Sequence, residues 1–134
     1  MTKDQIDSIV QRFISFLETG NVAANLFTSD VFCDFTLPRW RVQAQGLEPV
    51  VGLRKQGHPG PSNVVKWHCE PTPNGFVIEF EERWSHNGQN WYCREIAVAQ
   101  LKDDAISSLN VYCTGDWDAA QEAQHAKAVS LIKP

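Results

Sequence analysis

Strand-forming segments alternate with turn sequences through the second half of the chain, and this pattern restricts the possible folds most strongly. Segments 64–70, 76–86, 91–101 and 106–113 are rich in β-branched and aromatic residues. The stretches between them have turn compositions, and one is Asn87-Gly88, the dipeptide most typical of a two-residue hairpin turn. The pattern predicts a four-stranded antiparallel meander with short connections.

The lengths of the predicted turns determine which residues face one another across the meander. A two-residue turn at Asn87-Gly88 pairs Phe80 with Glu95. Four-residue turns on either side then place Trp67 opposite Phe80 and Tyr112 opposite Glu95. Because side chains alternate along a strand, one face should be aromatic and aliphatic, with acids and amides set into it. Its predicted members are Trp67, Cys69, Ile78, Phe80, Glu82, Trp84, Trp91, Cys93, Glu95, Ala97, Ala99, Ser108, Asn110 and Tyr112.

The first half of the chain combines helical and strand patterns. Apolar residues at helical spacing predict a helix over 4–19. Thr2 and Gln5 can form a capping box at its start, and Gly20 stands where it should end. Further helices are predicted at 22–27, 46–56 and 118–132, and a strand at 31–37. We therefore predict a single α+β domain over residues 1–134, in which three N-terminal helices pack on a cone-shaped, curved antiparallel sheet and a C-terminal helix follows.

Charge and cysteine spacing exclude several classes of function. The 12 Lys and Arg against 16 Asp and Glu give a net charge of −4, so no basic stripe is available for nucleic acid. No apolar run reaches the roughly 18 residues that span a membrane, and the polar N-terminus does not resemble a signal peptide, so we expect a cytoplasmic protein. The four cysteines lie far apart, without a CxxC pair or a histidine at ligand spacing. We therefore expect no metal, and without a phosphate-binding glycine loop we expect no cofactor.

Two carboxylic acids, Glu82 and Glu95, fall on the apolar face of the predicted sheet. An unpaired buried charge is costly, so a face that only filled a core would not carry them. An apolar surround raises the pKa of Glu95 from its usual value of about 4.3, and Tyr112 could share a hydrogen bond with it. Such a carboxyl group suits general acid/base catalysis near neutral pH, whereas Glu82, near the hairpin end, is expected at a water-exposed rim.

The order of the elements and three sequence stretches resemble the nuclear-transport-factor-2-like superfamily, in particular its SnoaL-like and ketosteroid-isomerase-like branch. The stretches are FTSDVFCDF at 27–35, GLEPVVGL at 46–53 and ISSLNVY at 106–112. The resemblance covers nearly the whole chain and implies a cone-shaped roll. It says less about the reaction, because this fold hosts isomerases, cyclases, dehydratases, epoxide hydrolases and proteins that only bind ligands.

Within this resemblance, Asp34 matches the position of the proton-shuttling base of ketosteroid-isomerase-like members. Their oxyanion-stabilising acid aligns with Ala97, two residues beyond Glu95, and the tyrosine expected on the first helix is absent. The resemblance therefore implies an acid/base site but not a strict steroid isomerase, and the epoxide-hydrolase and dehydratase patterns are not reproduced. From the residues alone, Asp34 could also be an outward or edge carboxylate beside Arg39 or Arg41.

These observations predict a cofactor-free acid/base enzyme that acts on a small apolar carbonyl compound by isomerisation, aldol-type cyclisation or dehydration. Asp34 would move the proton, while Tyr112 and a protonated Glu95 would donate to the enolate oxygen. His58, in a glycine- and proline-rich loop, is expected to be solvated. The predicted substrate-binding residues are Trp40, on a loop at the pocket mouth, and Trp67, Phe80, Glu82, Trp84, Trp91 and Asn110.

Two alternatives concern partners rather than catalysis. The same fold could provide a non-catalytic pocket for a hydrophobic ligand, or a dimerisation module, and neither needs a carboxyl group with a raised pKa. The charged outer face of the sheet, with Tyr92 and Ile96 among its ion pairs, could meet its copy in a homodimer.

Overall fold

An open, curved, seven-stranded sheet and three helices make up the protein, which the computed structural model describes over residues 1–134. The helices are α1 (Lys3–Thr19), α2 (Leu47–Gly57) and α3 (Ala119–Ala128). The strands are β1 (Phe27–Leu37), β2 (Trp40–Gln45), β3 (Ser62–Thr72), β4 (Gly75–His86), β5 (Gln89–Lys102), β6 (Ala105–Cys113) and β7 (Trp117–Asp118). Their order is β2-β1-β6-β5-β4-β3, with β7 paired to β5. The α+β class is confirmed, although the parallel pairing of β1 with β6 makes the sheet mixed.

Helix α1 forms as predicted and packs its apolar face against the sheet. The Thr2 hydroxyl accepts a hydrogen bond from the Gln5 amide at 3.2 Å, and the Gln5 side chain accepts one from the Thr2 amide at 2.7 Å. Gly20 ends the helix in the left-handed conformation, with a φ of 77°. Phe13 meets Phe80 of β4 edge to face, with ring centroids 6.3 Å apart. None of the three helices is long and apolar enough to cross a membrane.

The registers of β3, β4 and β5 agree with the prediction. Asn87 and Gly88 form the two-residue turn, and both have a positive φ. Phe80 pairs with Glu95 on one side and with Trp67 on the other. A bulge near the start of β3 leaves these pairs unchanged. Glu82 and Glu95 therefore share one face of the sheet.

A bulge in β6 changes the register between β5 and β6. At the turn, Leu101 pairs with Ile106 as predicted, but the next pair is Gln100 with Ser108. Ser107 is therefore an extra residue in β6, and its hydroxyl donates a hydrogen bond to the Gln100 carbonyl at 3.2 Å. Every pair beyond this point is displaced by one residue.

This displacement reverses the faces of the rest of β6. Cys113, not Tyr112, pairs with Glu95, so the predicted pair of Tyr112 with Glu95 is wrong. Because side chains alternate along a strand, Tyr112 and Asn110 lie on the outer face instead of the inner one. Tyr112 is accordingly 53% exposed.

Two local predictions in the first half of the chain are also wrong. Residues 22–27 do not form a helix, because the Leu26 carbonyl accepts a hydrogen bond from the Ile106 amide of β6 at 2.8 Å and the chain continues directly into β1. Trp40 does not lie on a loop, since it begins β2, which pairs with β1 across a short turn. Two helices, rather than three, therefore precede β3.

Candidate active site

A cavity of about 280 Å³ lies between α1, α2 and the inner face of the sheet. Its wall is mainly apolar and includes Phe13 and Phe16 of α1, Phe35 of β1, Phe80 of β4 and Val111 of β6. Along β1 and β6 every second side chain faces inward, which explains how strands of mixed composition line an apolar cavity.

Two carboxyl groups, from Glu82 of β4 and Glu95 of β5, lie in this cavity. Glu82 is 1% exposed and Glu95 is 7% exposed. The Ser62 hydroxyl donates a hydrogen bond to Glu82 Oε1 at 3.2 Å, and the Cys93 thiol donates one to Glu95 Oε1 at 3.1 Å. The prediction that Glu82 lies at a water-exposed rim is wrong, because His58 and its loop cover this side of the sheet.

Burial raises the pKa of both carboxyl groups. The pKa of Glu95 rises to about 7, mainly because burial removes water from its charged form. Burial, followed by the charge of Glu95, raises the pKa of Glu82 well above its ordinary range. The two carboxyl groups lie close enough for each to influence the pKa of the other. We infer that the pair holds at least one proton at neutral pH.

His58, expected from the sequence to be solvated, lies inside the cavity. Its ring stacks on the Trp84 indole, with centroids 3.9 Å apart and 31° between the planes. Its Nδ1 lies 3.5 Å from Glu82 Oε2 and has no hydrogen-bond partner. Burial, and then the charge of Arg54, lowers the pKa of His58 to about 4, so the imidazole is neutral at neutral pH.

Arg54 of α2 fixes the loop that carries His58. Its guanidinium donates hydrogen bonds to the carbonyls of Leu17 at 2.8 Å, His58 at 2.5 Å and Gly60 at 3.1 Å. It therefore ties the end of α1 to the start of β3 and places a positive charge at the cavity wall. Asp116 lies at the exposed rim, where partial desolvation raises its pKa to about 6.

Asp34, the predicted proton-moving residue, lies outside the cavity. Its neighbours Cys33 and Phe35 face inward, so the Asp34 side chain faces the other side of β1. Arg41 Nη2 lies 2.5 Å from Asp34 Oδ2, and Gln43 donates a hydrogen bond to the same oxygen at 3.1 Å. Hydrogen bonds from Arg41 and then Gln43 lower the pKa of Asp34 to about 2. The predicted placement in the cavity is wrong, and the outward-facing ion pair with Arg41 that the sequence also allowed is present.

The predicted substrate-binding residues divide into two groups. Phe80 and Glu82 line the cavity, and Trp84 packs beneath His58. The predicted site residues that do not line it are Trp40, Trp67, Trp91, Asn110 and Tyr112. The bulge in β6 turns the last two outward, Trp40 and Trp67 lie exposed on the two edge strands, and Trp91 pairs with β7.

One cluster beside the cavity brings possible metal-ligating atoms together. Ligand atoms of His58, Cys93 and Asp116 lie within 4.8 Å of one another, and so do those of Cys93, Glu95 and Cys113. Metals bind the thiolate form of cysteine. A hydrogen bond with Cys113, and then burial, raises the pKa of Cys93, and its thiol donates to Glu95. Cys93 belongs to both groups of atoms and keeps its proton, so we assign no metal to the cluster.

Known structures share this fold, whereas no protein-family model and no curated protein matches the sequence. An NTF2-like protein from Anabaena variabilis has a TM-score of 0.69 and 17% identity, over 87% of this chain and 96% of that one. A protein from Catenulispora acidiphila with a ketosteroid-isomerase-like fold, solved with trimethylamine, has a TM-score of 0.62 and 14% identity over 86% and 92%.

A protein from Bacillus subtilis, described provisionally as an isomerase, has a TM-score of 0.65 and 11% identity, over 85% of this chain and 90% of that one. These likenesses show that the chain has the NTF2-like, ketosteroid-isomerase-like fold. The resemblance found in the sequence is confirmed at the level of the fold.

Proposed function

We propose that this chain is a small acid/base enzyme that acts on an apolar carbonyl compound and needs no cofactor. The observation that carries the proposal is the pair of adjacent carboxyl groups, Glu82 and Glu95, buried in an apolar cavity without an ion pair to lysine or arginine. A cavity with no chemical role would not retain two such groups, because each is costly to bury. The isomerase description of the Bacillus subtilis protein supports the same class of reaction.

Glu95 supplies the acid in this proposal. In its protonated form it donates a hydrogen bond to the carbonyl oxygen of the substrate and stabilises the negative charge that develops when a proton leaves the adjacent carbon. The apolar wall lowers the local dielectric and strengthens this interaction relative to water. A single preorganised donor of this kind contributes about 10²–10³ to the rate. Because its pKa is about 7, the protonated form is present at neutral pH.

The cavity volume restricts the size of the substrate. The cavity has a volume of about 280 Å³. Pockets for drug-sized ligands begin at about 300 Å³. We therefore propose a short acyl or single-ring carbonyl compound rather than a large fused-ring compound.

Exchange of α-protons in D₂O tests the proposal. A panel of small straight-chain, cyclic and aryl ketones is incubated with the protein, and loss of the α-proton signals is followed by NMR. We expect exchange of at least one ketone, and we expect Glu95→Gln to slow it by at least about 10²-fold. The matched control is Glu79→Gln, on the outer face of β4, which should exchange at the wild-type rate. Equal rates in Glu95→Gln and wild type would contradict the proposal.

The apolar wall also suits a pocket that binds a hydrophobic ligand without catalysis. The same ketones discriminate the two functions when binding is measured by tryptophan fluorescence. Binding without any α-proton exchange would support a non-catalytic pocket and contradict the proposed enzymatic function.

A further inference from the structure

We propose that His58 is the catalytic base that takes the α-proton, an assignment that rests on the proposed function. His58 lines the same cavity as Glu95, although it is carried by the loop between α2 and β3. Glu95 donates to the carbonyl oxygen and His58 accepts the proton from the adjacent carbon, so the two halves of enolisation fall to two different groups.

Two contacts fix His58, and neither engages a ring nitrogen. The imidazole stacks on the Trp84 indole at a centroid distance of 3.9 Å. The Arg54 guanidinium holds the backbone carbonyl of His58 at 2.5 Å and that of Gly60 at 3.1 Å. The ring is therefore oriented by packing and by its backbone, while Nε2, which no protein group engages, remains available for proton transfer.

No hydrogen bond in the folded protein accounts for the burial of the Nδ1 atom of His58. This atom is buried without a hydrogen-bond partner, and an unsatisfied buried polar atom costs about 1–3 kcal/mol. It lies 3.5 Å from Glu82 Oε2. When the ring gains a proton, Nδ1 carries hydrogen and the contact becomes a charge-assisted pair with the Glu82 carboxylate. Glu82 is therefore a positioning residue, since it stabilises the imidazolium without contacting the substrate carbon.

The proton held by the two glutamates completes the step. As the substrate C–H bond breaks, its proton bonds to the imidazole and its electron pair enters the enolate. As the imidazolium forms beside it, Glu82 passes the proton that the pair holds to Glu95, and Glu95 donates this proton in a hydrogen bond to the enolate oxygen. Return of the proton from His58 to a different carbon gives an isomer, with no atom or electron gained or lost.

The groups around His58 set the pH range of this reaction. Arg54 of α2 opposes the imidazolium, whereas Glu82 of β4 and Asp116 after β6 favour it; the protonated Cys93 of β5 is neutral. The reaction requires neutral His58, whose pKa is about 4, and protonated Glu95, whose pKa is about 7. We expect the exchange rate to be greatest between these values and to fall on both sides.

Ketone exchange by His58→Gln, measured across this pH range, tests the assignment. We expect at least a 10²-fold lower rate, as is typical for loss of a general base, together with loss of the low-pH inflection. A purely structural histidine would lower the rate but leave the inflection in place. His68→Gln is the matched control, because His68 is exposed on β3 and pairs with Glu70. A His58→Gln rate within about threefold of wild type, with the inflection unchanged, overturns the assignment.

A second measurement does not depend on turnover. 4-Nitrophenol, a small oxygen acid, is titrated into the protein, and its ionisation is followed by absorbance and that of His58 by ¹⁵N NMR. We expect the bound phenol to stay neutral and to donate a hydrogen bond to a ring nitrogen of His58, which shifts that ¹⁵N signal, and His58→Gln to bind the phenol without this contact. This result in a protein that exchanges no ketone overturns the proposed function and supports His58 as a proton acceptor. Ketone exchange that depends on Glu95 but not on His58 supports the proposed function and overturns the assignment of His58 as the base. Bound phenol that leaves the ¹⁵N signals of His58 unchanged also overturns this assignment.

Discussion

Replacing Glu95 by Gln should change how the stability of the folded protein depends on pH. Burial raises the pKa of Glu95 from 4.5 to about 7, so across this interval the folded state keeps a proton that the unfolded chain releases. The free energy of unfolding therefore falls as the pH rises from 4.5 through about 7, and outside this interval the group adds no further pH dependence. At about 1.4 kcal/mol for each pKa unit, the wild type loses roughly 3 kcal/mol. A glutamine cannot ionise and should not show this loss.

Urea unfolding at about pH 4.5, 6 and 8 measures the difference. We expect the free energy of unfolding of Glu95→Gln, relative to wild type, to increase by about 3 kcal/mol from the lowest pH to the highest. Glu79→Gln, which removes an exposed carboxylate on the opposite face of β4, should follow the wild-type pH dependence. If Glu95→Gln and wild type have the same pH dependence, Glu95 is ionised in the folded protein at neutral pH, and it cannot act as the proposed acid.

Three further outcomes are expected. Asp34→Asn should leave ketone exchange unchanged, because this side chain lies in an ion pair on the outer face; a large loss of exchange would return it to the site. Gly75→Ala should lower the free energy of unfolding, measured in urea, by about 1–3 kcal/mol or more, because the added methyl group overlaps a backbone carbonyl of β5. Gly60→Ala adds its methyl group to open space and should have the same free energy of unfolding as wild type. We also propose that the protein forms a homodimer through the outer face of the sheet, so sedimentation should give twice the mass of one chain. Ile96→Asp, at an exposed apolar position of that face, should give the monomer. A monomeric wild type would contradict the proposal.

The two buried acids can be located from sequence because their positions depend on short-range chemistry. Asn87 and Gly88 both accept the positive φ of a two-residue turn, which allows only one register between β4 and β5. That register places Phe80 opposite Glu95 and brings Glu82 onto the same face. A local turn signal is therefore sufficient to find the pair on which the proposed chemistry depends.

The bulge in β6 could not be predicted, and its effect extends to the end of the strand. Ser107 has no intrinsic preference that marks it as an extra residue, and its hydroxyl is satisfied by a carbonyl of the neighbouring strand. Alternation then turns Tyr112 outward and places Val111 and Cys113 on the cavity wall. The extra residue, Ser107, therefore places the Tyr112 phenol, a predicted hydrogen-bond donor to the substrate, outside the cavity.

His58 is missed for a different reason, since its surroundings exist only after the chain has folded. Glycine and proline on either side are typical of an exposed loop, and only the Arg54 bridge and the Trp84 indole bring the imidazole inside. The consequence is a division of the cavity. Glu95 of β5 and Glu82 of β4 follow β6 and β1 in the strand order, so the two carboxyl groups lie toward one side of the cavity, whereas β1 and β6 contribute mainly apolar side chains. A substrate with a carbonyl group at one end and an apolar body fits this division in one orientation, with its carbonyl toward the glutamates and its apolar body against β1 and β6.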